Sequence, residues 1–421
     1  MADFLADGDR AQITGRGLPF FSGRESELGI FRRVANALSR DRRGNATIVV
    51  EGPPGVGKSA LMCQFMEEMR SLPPAGAGRR WLPVPLSAGD AESPPDIADA
   101  IDAAIVSRLA ADLLALESAE ASLLEKLGDY WGRLEPAKAR ARAKEFLDRG
   151  GSVLGFSLGA SREGPPRSVA QAAARRPAWQ SWQIVLMIDE AQGIRSGEPN
   201  AGGGTLSALH QGIVRAPVSF CAFGLPGTLL ALGDVGVSRL ADGRSFHLRE
   251  LDDRAAGQTV DRCFNAFGVR GGAAWREAIL ARAANWPQHL AVYLNAAVRH
   301  LREASSERMD AEGADLGAAM REGDKARANY YRQRIARLTR RNIEFGNLAR
   351  RLTPLFEGRE SRLPAADLKK SIRAVSPGLS DADITRFVRD AEHSGFLVLA
   401  DDEYAYSMPI PSFARYLLGD G

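Results

Sequence analysis

The run Gly52-Pro53-Pro54-Gly55-Val56-Gly57-Lys58-Ser59 has the spacing G-x-x-x-x-G-K-[ST], and each residue type in it has a physical task. Glycines at 55 and 57 allow a tight backbone approach, so that successive N–H groups and the helix N-terminus beginning near Ala60 converge on an anion. Lys58 brings a full positive charge to β- and γ-phosphate oxygens, and the Ser59 hydroxyl is a hard oxygen donor for Mg2+. Gly52 through Ala60 are therefore the expected contacts of ATP or ADP. A second cluster, IVLMIDEAQ from Ile184, is an apolar run closed by two acids. Such a run reads as a strand buried on both faces of a parallel sheet, delivering Asp189 and Glu190 to the carboxyl edge where these sheets bind ligands. Asp189 is expected to hold Mg2+, mainly through water. Glu190 is expected to orient and deprotonate the water that attacks the terminal phosphate.

These groups need elements to position them. ATIVVEG, ahead of the glycine-rich run, is a short β-branched strand, and ALMCQFMEEMR behind it has helical periodicity, giving the order strand, loop, helix. Upstream, Leu28, Phe31, Val34, Ala35 and Leu38 recur at helical spacing behind Ser22 and Glu25, a candidate capping pair. WLPVPLSA, residues 81–88, predicts a strand whose prolines suit an edge, followed by a helix near 97–114. PVSFCAF, from Pro217, is a further buried strand. Strands alternating with helices predict an α/β fold, a parallel sheet flanked by helices. Residues 116–178 read as an insertion: a charged helical stretch through Phe146, then GGSVLGFSLGAS, then a Pro/Arg/Ala-rich segment.

The expected organisation is an N-terminal arm and helix (1–45), an α/β core (46–250), a helical lid (251–305), a charged linker helix (306–342) and a winged-helix domain (343–421). The linker contains RQRIARLTRR from Arg332; the last unit reads as three helices followed by FLVLADDEYAYSM, two strands around an acidic turn. With 421 residues, 45% hydrophobic and 25% charged, the composition is that of a globular protein of two or three domains. A net charge of only +3 excludes a global field for nucleic acid, so any such contact must be local. Cys63, Cys221 and Cys263 lack metal-ligand spacing, and the first two sit in apolar runs as small core residues. No leader-like start and no span of about 18 apolar residues is evident, which predicts a cytoplasmic protein without membrane contact.

FSGRESEL, GPPGVGKS, IVLMIDEAQ and the helical lid resemble the AAA+ ATPases and their STAND relatives, particularly origin-recognition-like and archaeal-type ATPases and bacterial transposition ATPases that carry a similar DEAQ. The resemblance implies a P-loop NTPase core, ATP hydrolysis and homo-oligomers in the ATP state. It places the G-R-E arm, Phe21, Gly23 and Arg24, near adenine, and Pro287 of NWPQHL near the base or ribose. It also implies an arginine finger after the fourth strand, for which SRLADGRSF offers Arg239 or Arg244, although either also suits a surface ion pair. The polar sensor expected at the end of PVSFCAF is replaced by Gly224, with Thr228 a weak substitute. Gln288 and His289 stand where the lid would carry an arginine; His289 either reaches phosphate or packs.

The tail suggests two kinds of partner. RQRIARLTRR offers phosphate contacts to duplex DNA. In DADITRFVRDAEHSG, however, Ile384, Phe387, Val388 and Ala391 form a core stripe, and Arg386, Arg389 and His393 lie among acids. The wing tip Asp401-Asp402-Glu403 would repel a phosphate backbone. Two functions follow: an ATPase switch that assembles on DNA in transposition, replication or mobile-element defence, or a STAND-type signalling ATPase whose winged helix binds protein and retains an ADP-bound off state. YSMPIPSFARYL resembles the tail of archaeal-type ATPases, and Tyr404, Tyr406, Met408, Ile410 and Phe413 suit packing on the core.

Overall fold

Runs of β-branched and apolar residues pair into one parallel sheet because each strand must bury both faces. The computed structural model describes residues 20–40, 46–88, 94–116, 121–131, 134–148, 167–194, 202–211, 217–237, 240, 244–304, 309–312, 314–339, 344–356, 362–399, 405–410 and 412–419. The strands are β1 (Thr47–Glu51), β2 (Arg80–Ser87), β3 (Trp182–Asp189), β4 (Val218–Gly224) and β5 (Ser245–His247). Their spatial order is β2-β3-β4-β1-β5, all parallel. β1 and β4 are buried along their whole length, and β2, with Pro83 and Pro85, is an edge strand as its prolines require.

One face of the sheet carries α1 (Glu25–Arg40) and α2 (Lys58–Ser71). Phe31 of α1 stacks on Phe65 of α2 with ring centroids 4.3 Å apart, and Phe65 leans on Phe223 of β4 at 5.8 Å. The expected Ser22/Glu25 cap is not made. Gly23 and Arg24 turn through left-handed backbone (φ 72° and 68°), so the first turn is closed by the Arg24 carbonyl accepting from Leu28 N–H, and Ser22 Oγ is buried without a hydrogen-bond partner.

The opposite face carries α3 (Pro94–Ala115), α4 (Ala121–Trp131), α5 (Pro136–Asp148) and α6 (Val169–Arg175). The stretch expected to be an insertion thus supplies core. Leu123, Leu127, Tyr130 and Trp131 of α4 and Ala139, Ala143 and Phe146 of α5 are buried in one cluster with Ile184, Leu186 and Phe220 of the sheet. Buried Asp102 of α3 joins the pieces, accepting from Trp179 Nε1 at 2.8 Å and Tyr130 Oη at 3.3 Å and pairing with Arg176. The glycine-rich part of that stretch, 149–166, lies outside the described residues.

Beyond α7 (Gly202–His210) and α8 (Thr228–Asp234), the segment expected to form the lid comprises α9 (Asp253–Ala266), α10 (Ala273–Ala283) and α11 (Pro287–Ala304) around Val260, Ile279, Tyr293 and Leu294. The expected linker, α12 (Leu316–Thr339), is no spacer. It buries Ala319 and Met320 in the lid core at one end and Tyr331 and Leu338 in the core under the C-terminal unit at the other. That unit contains α13 (Glu344–Leu352), α14 (Ala365–Val375), α15 (Asp381–Ser394) and α16 (Phe413–Leu418). It also holds a three-stranded antiparallel sheet ordered β6 (Leu363–Pro364), β8 (Ala405–Ser407), β7 (Val398–Leu399). Phe345, Phe387, Phe396 and Phe413 of this unit share one apolar cluster with Val50, Leu61 and Trp286, so tail, lid and phosphate-loop helix have a common core. All three cysteines are buried. Among the described residues no helix is long and apolar enough to cross a membrane.

Phe31 is 3% exposed and connects α1 to the sheet through Phe65. Phe31→Ala is expected to lower unfolding stability by about 3–5 kcal/mol, read as a reduced urea midpoint with the slope unchanged.

Candidate functional site

The glycine-rich run connects β1 to α2 at the carboxyl edge of the sheet, as its strand-loop-helix context predicts. Gly55 and Gly57 take φ of 80° and 100°, backbone that side-chain-bearing residues rarely adopt. α2 begins at Lys58, and no side chain caps it, which leaves its first N–H groups directed into the loop. Lys58 Nζ donates to the Gly52 and Pro53 carbonyls at 2.8 and 3.1 Å. Burial is the chief cause that pushes its ammonium down to about 8, opposed by the charges of Glu190 and Asp189. An enclosed cation beside uncapped N–H dipoles is a cradle for phosphate.

Across the loop, Ser59 Oγ donates to Asp189 Oδ2 at 2.9 Å. A hydroxyl and a carboxylate this close form a hard-oxygen pair that fits Mg2+. Burial raises the Asp189 carboxyl above its usual range, partly offset by the Glu190 N–H, which donates to Asp189 Oδ1 at 2.9 Å, and by Ser59. Glu190 is exposed in left-handed backbone (φ 53°), a single-residue kink that turns its carboxylate away from the strand line.

Gln192 is a site residue that the sequence reading passed over. Its Nε2 donates to Glu190 Oε2, and its Oε1 accepts from Leu225 N–H at 3.0 Å, linking the acid to the end of β4. Gly224 now has a physical reason. A Cβ built there would lie 2.0 Å from Thr228 Oγ1 and 2.7 Å from Gln192 Oε1, so the position usually given to a polar side chain is vacated for two others. Thr228 Oγ1 donates to the Leu225 carbonyl at 2.6 Å and faces inward, not toward phosphate. The DEAQ tetrad contained the signal for Gln192, but its target on β4 emerges only from strand order.

The arm is tied to the loop. Arg24 Nη2 donates to the Val56 carbonyl at 3.0 Å and also reaches the Arg249 carbonyl, while Arg262 of α9 donates to the Phe21 carbonyl. Gly23 lies tight on α9, where a Cβ would meet Ala255 Cβ at 2.7 Å. Phe21, Gly23 and Arg24 are therefore brought beside the loop and lid. Arg244 immediately precedes β5, its carbonyl accepting from Val49 N–H at 2.8 Å midway along β1, so its backbone sits at the amino end of β5 and not at the carboxyl edge that carries Lys58. Arg239 lies outside the described residues.

The lid closes directly on the loop. Gln288 N–H donates to the Gly55 carbonyl at 3.1 Å, and a Cβ at Gly57 would touch Pro287 at 3.7 Å. A Cβ at Gly55 would lie 2.9 Å from Trp286 Nε1, a buried donor without a partner. His289 does not reach the phosphate site. It is fully buried, with Nε2 3.1 Å from Tyr331 Oη, and burial, aided by the Arg327 charge, depresses its pKa to about 3.

A five-stranded parallel sheet in this order, with a phosphate loop after β1 and an acid pair closing β3, is a P-loop NTPase. Within that class, residues 21–220 match the family described as the AAA ATPase domain. Among curated proteins none matches the chain. Among solved structures, a Walker-type ATPase of Pyrococcus abyssi overlays with a TM-score of 0.54 at 13% identity, covering 91% of this chain and 94% of that one. The ORC2 protein of Aeropyrum pernix, in its ADPNP–ADP complexes, gives 0.49 at 11% identity over 94% and 91% of the two chains. The RuvB Holliday junction branch migration motor of Thermotoga maritima gives 0.39 at 11% over 95% and 96%. The first is a likeness of fold, and the two looser overlays carry no argument.

His289 stays neutral in the folded chain down to about pH 3, whereas the unfolded chain takes up a proton near 6.5. Its contribution is fully present above pH 6.5 and drains away as pH falls from 6.5 toward 3, by at most about 1.4 kcal/mol per pH unit. Urea titrations at several pH values are expected to show this decline, flattened in His289→Gln.

Proposed function

We infer that the chain binds Mg-ATP in the Gly52–Ala60 loop, hydrolyses it, and uses the nucleotide state to change how its C-terminal unit sits on the core. The observation that carries this reading is the meeting of Ser59 and Asp189 at 2.9 Å, with Glu190 next in sequence and restrained by Gln192. Loop N–H groups and Lys58 bind the phosphates, and Trp286, Pro287 and Gln288 cover the loop and restrict water. Arg24 fixes the loop from the arm side, with Phe21 and Gly23 toward the base. Ser59 and Asp189 hold Mg2+, which when bound neutralises charge on the phosphate oxygens. Glu190 accepts a proton from the attacking water, and Gln192 keeps its carboxylate in position.

The closing contact on the loop comes from the tail. Gly395, at the end of α15, is so near that a Cβ there would lie 2.1 Å from Pro54 Cγ. This favours the signalling-switch reading, in which a winged-helix tail retains an ADP-bound off state and answers to a protein partner. Assembly on duplex DNA draws less support from α12. Arg327 is engaged with Asp324 and the Arg282 carbonyl, Arg334 with the Ser394 carbonyl, and Arg321 lies 3.7 Å from Asp315; Lys325 and Arg332 are exposed cations among the described residues of that helix. An ATP-state homo-oligomer would give Arg239 or Arg244 a neighbour's phosphate to reach.

Steady-state turnover tests this reading. Glu190→Gln is expected to lower the ATPase rate about a hundredfold or more with ATP binding retained, and Lys58→Ala to lose binding. Wild-type turnover in Glu190→Gln would contradict the assignment. The same assay with duplex DNA at two salt concentrations separates the readings: salt-sensitive stimulation and ATP-dependent assembly favour the DNA reading, and a DNA-indifferent monomer that retains ADP favours the switch.

A further inference from the structure

Glu51 is a buried carboxylate at the root of the phosphate loop, and none of the chemistry described above uses it. It is the last residue of β1, directly before Gly52, and is 2% exposed. Alternation along β1 puts it on the same face as Val49, which shares an apolar cluster with Leu232 of α8. A carboxylate this enclosed needs partners that offset its loss of water. Oε1 accepts from the Leu229 N–H at 2.6 Å, and Oε2 lies 3.2 Å from His247 Nε2 on β5. The first N–H groups of a helix have no partner within it, and the cap of α8 is Gly227, which has no side chain to offer. Glu51 supplies that acceptor from a different element.

The turn that Glu51 holds is also the turn that holds Gln192. Leu225 N–H donates to Gln192 Oε1 at 3.0 Å. The Leu225 carbonyl accepts from the Thr228 N–H at 3.0 Å and from Thr228 Oγ1 at 2.6 Å, with Thr228 fully buried. Leu225 and Leu229 are therefore the two ends of one short, internally bonded turn. Gln192 Nε2 completes the route by donating to Glu190. Beside it, Gly52 N–H donates to the Gly224 carbonyl at 3.1 Å. The phosphate loop is thus joined to the turn after β4 through the backbone of Gly52 and Gly224. It is joined to Glu190 through Glu51, Leu229, Leu225 and Gln192.

We propose that Glu51 is a positioning residue for hydrolysis: its carboxylate fixes the Leu225–Leu229 turn, through which Gln192 holds Glu190 toward the attacking water. The proposal rests on the reading of Glu190 as the base and adds the group that ties that base to the root of the phosphate loop. The bland role for the same carboxylate is to cap α8 and pair with His247. That role predicts lower stability in a variant, with turnover per folded molecule unchanged.

The test measures steady-state ATP turnover of the full chain with Mg2+ in wild type, Glu51→Ala, Glu51→Asp, Gln192→Ala and the double variant of Glu51→Ala with Gln192→Ala. Urea unfolding establishes that each is folded under the assay conditions. Glu51→Ala is expected to lower kcat about tenfold or more while KM for ATP moves less than about threefold. Glu51→Asp keeps the charge on a side chain one methylene shorter, which draws the carboxylate back from Leu229. It should lose kcat in the same sense, and takes the place of the alanine variant if that one fails to fold. Because Glu51 acts through Gln192, the double variant should match Gln192→Ala within about twofold. Wild-type kcat in the folded Glu51 variants, or losses that multiply in the double variant, overturns the proposal. Wild-type turnover in Glu190→Gln would instead remove the base reading beneath it.

Discussion

A loop that binds phosphate through its backbone must aim several N–H dipoles at one small volume, and such a loop cannot be stable on its own account. Its N–H groups lack partners, and its carbonyls need donors. In this chain the donors come from every side: Lys58 to Gly52 and Pro53, Arg24 to Val56, and Gln288 to Gly55. Two glycines with positive φ let the backbone follow the required path. The arm, the lid and the core helix are thus joined by the same few carbonyls, and displacement of the loop would be felt in all of them.

The second constraint is apolar. α12 runs from the lid core to the core under the tail, and the tail's phenylalanines share a cluster with β1, α2 and Trp286. Gly395 against Pro54 makes the tail a neighbour of the loop itself. A packed interior responds to small shifts by moving between discrete arrangements rather than by deforming smoothly, which is how a change at one phosphate can become a change in domain placement.

The sheet, the loop and the acid pair were legible in the sequence because each is written locally: an apolar run, a turn of glycines, a change of period. The cap expected at Ser22 is not made because the left-handed backbone at Gly23 and Arg24, which leaves no periodic trace in the sequence, closes the turn differently. Residues 116–178 looked like an insertion, yet Phe146 and Trp131 join the sheet's core through helices whose charged faces obscure their buried stripes. α12 read as a linker for the same reason, its buried side including Ala319 and Gly323 among charges. The roles of Gly224 and Gln192 depend on β3 lying beside β4, and the Gly395–Pro54 contact joins residues far apart in the chain. Neither can be read from spacing.

The central claim, that the phosphate loop is the joint on which core, lid and tail meet, is tested most directly by native-state hydrogen exchange of the full chain with and without ADP and Mg2+. The account predicts that amides of β1, of α11 and of α15 change their opening free energies together, and that Lys58→Ala abolishes the change in all three. Protection confined to the loop and β1, with α11 and α15 indifferent to nucleotide, would contradict it.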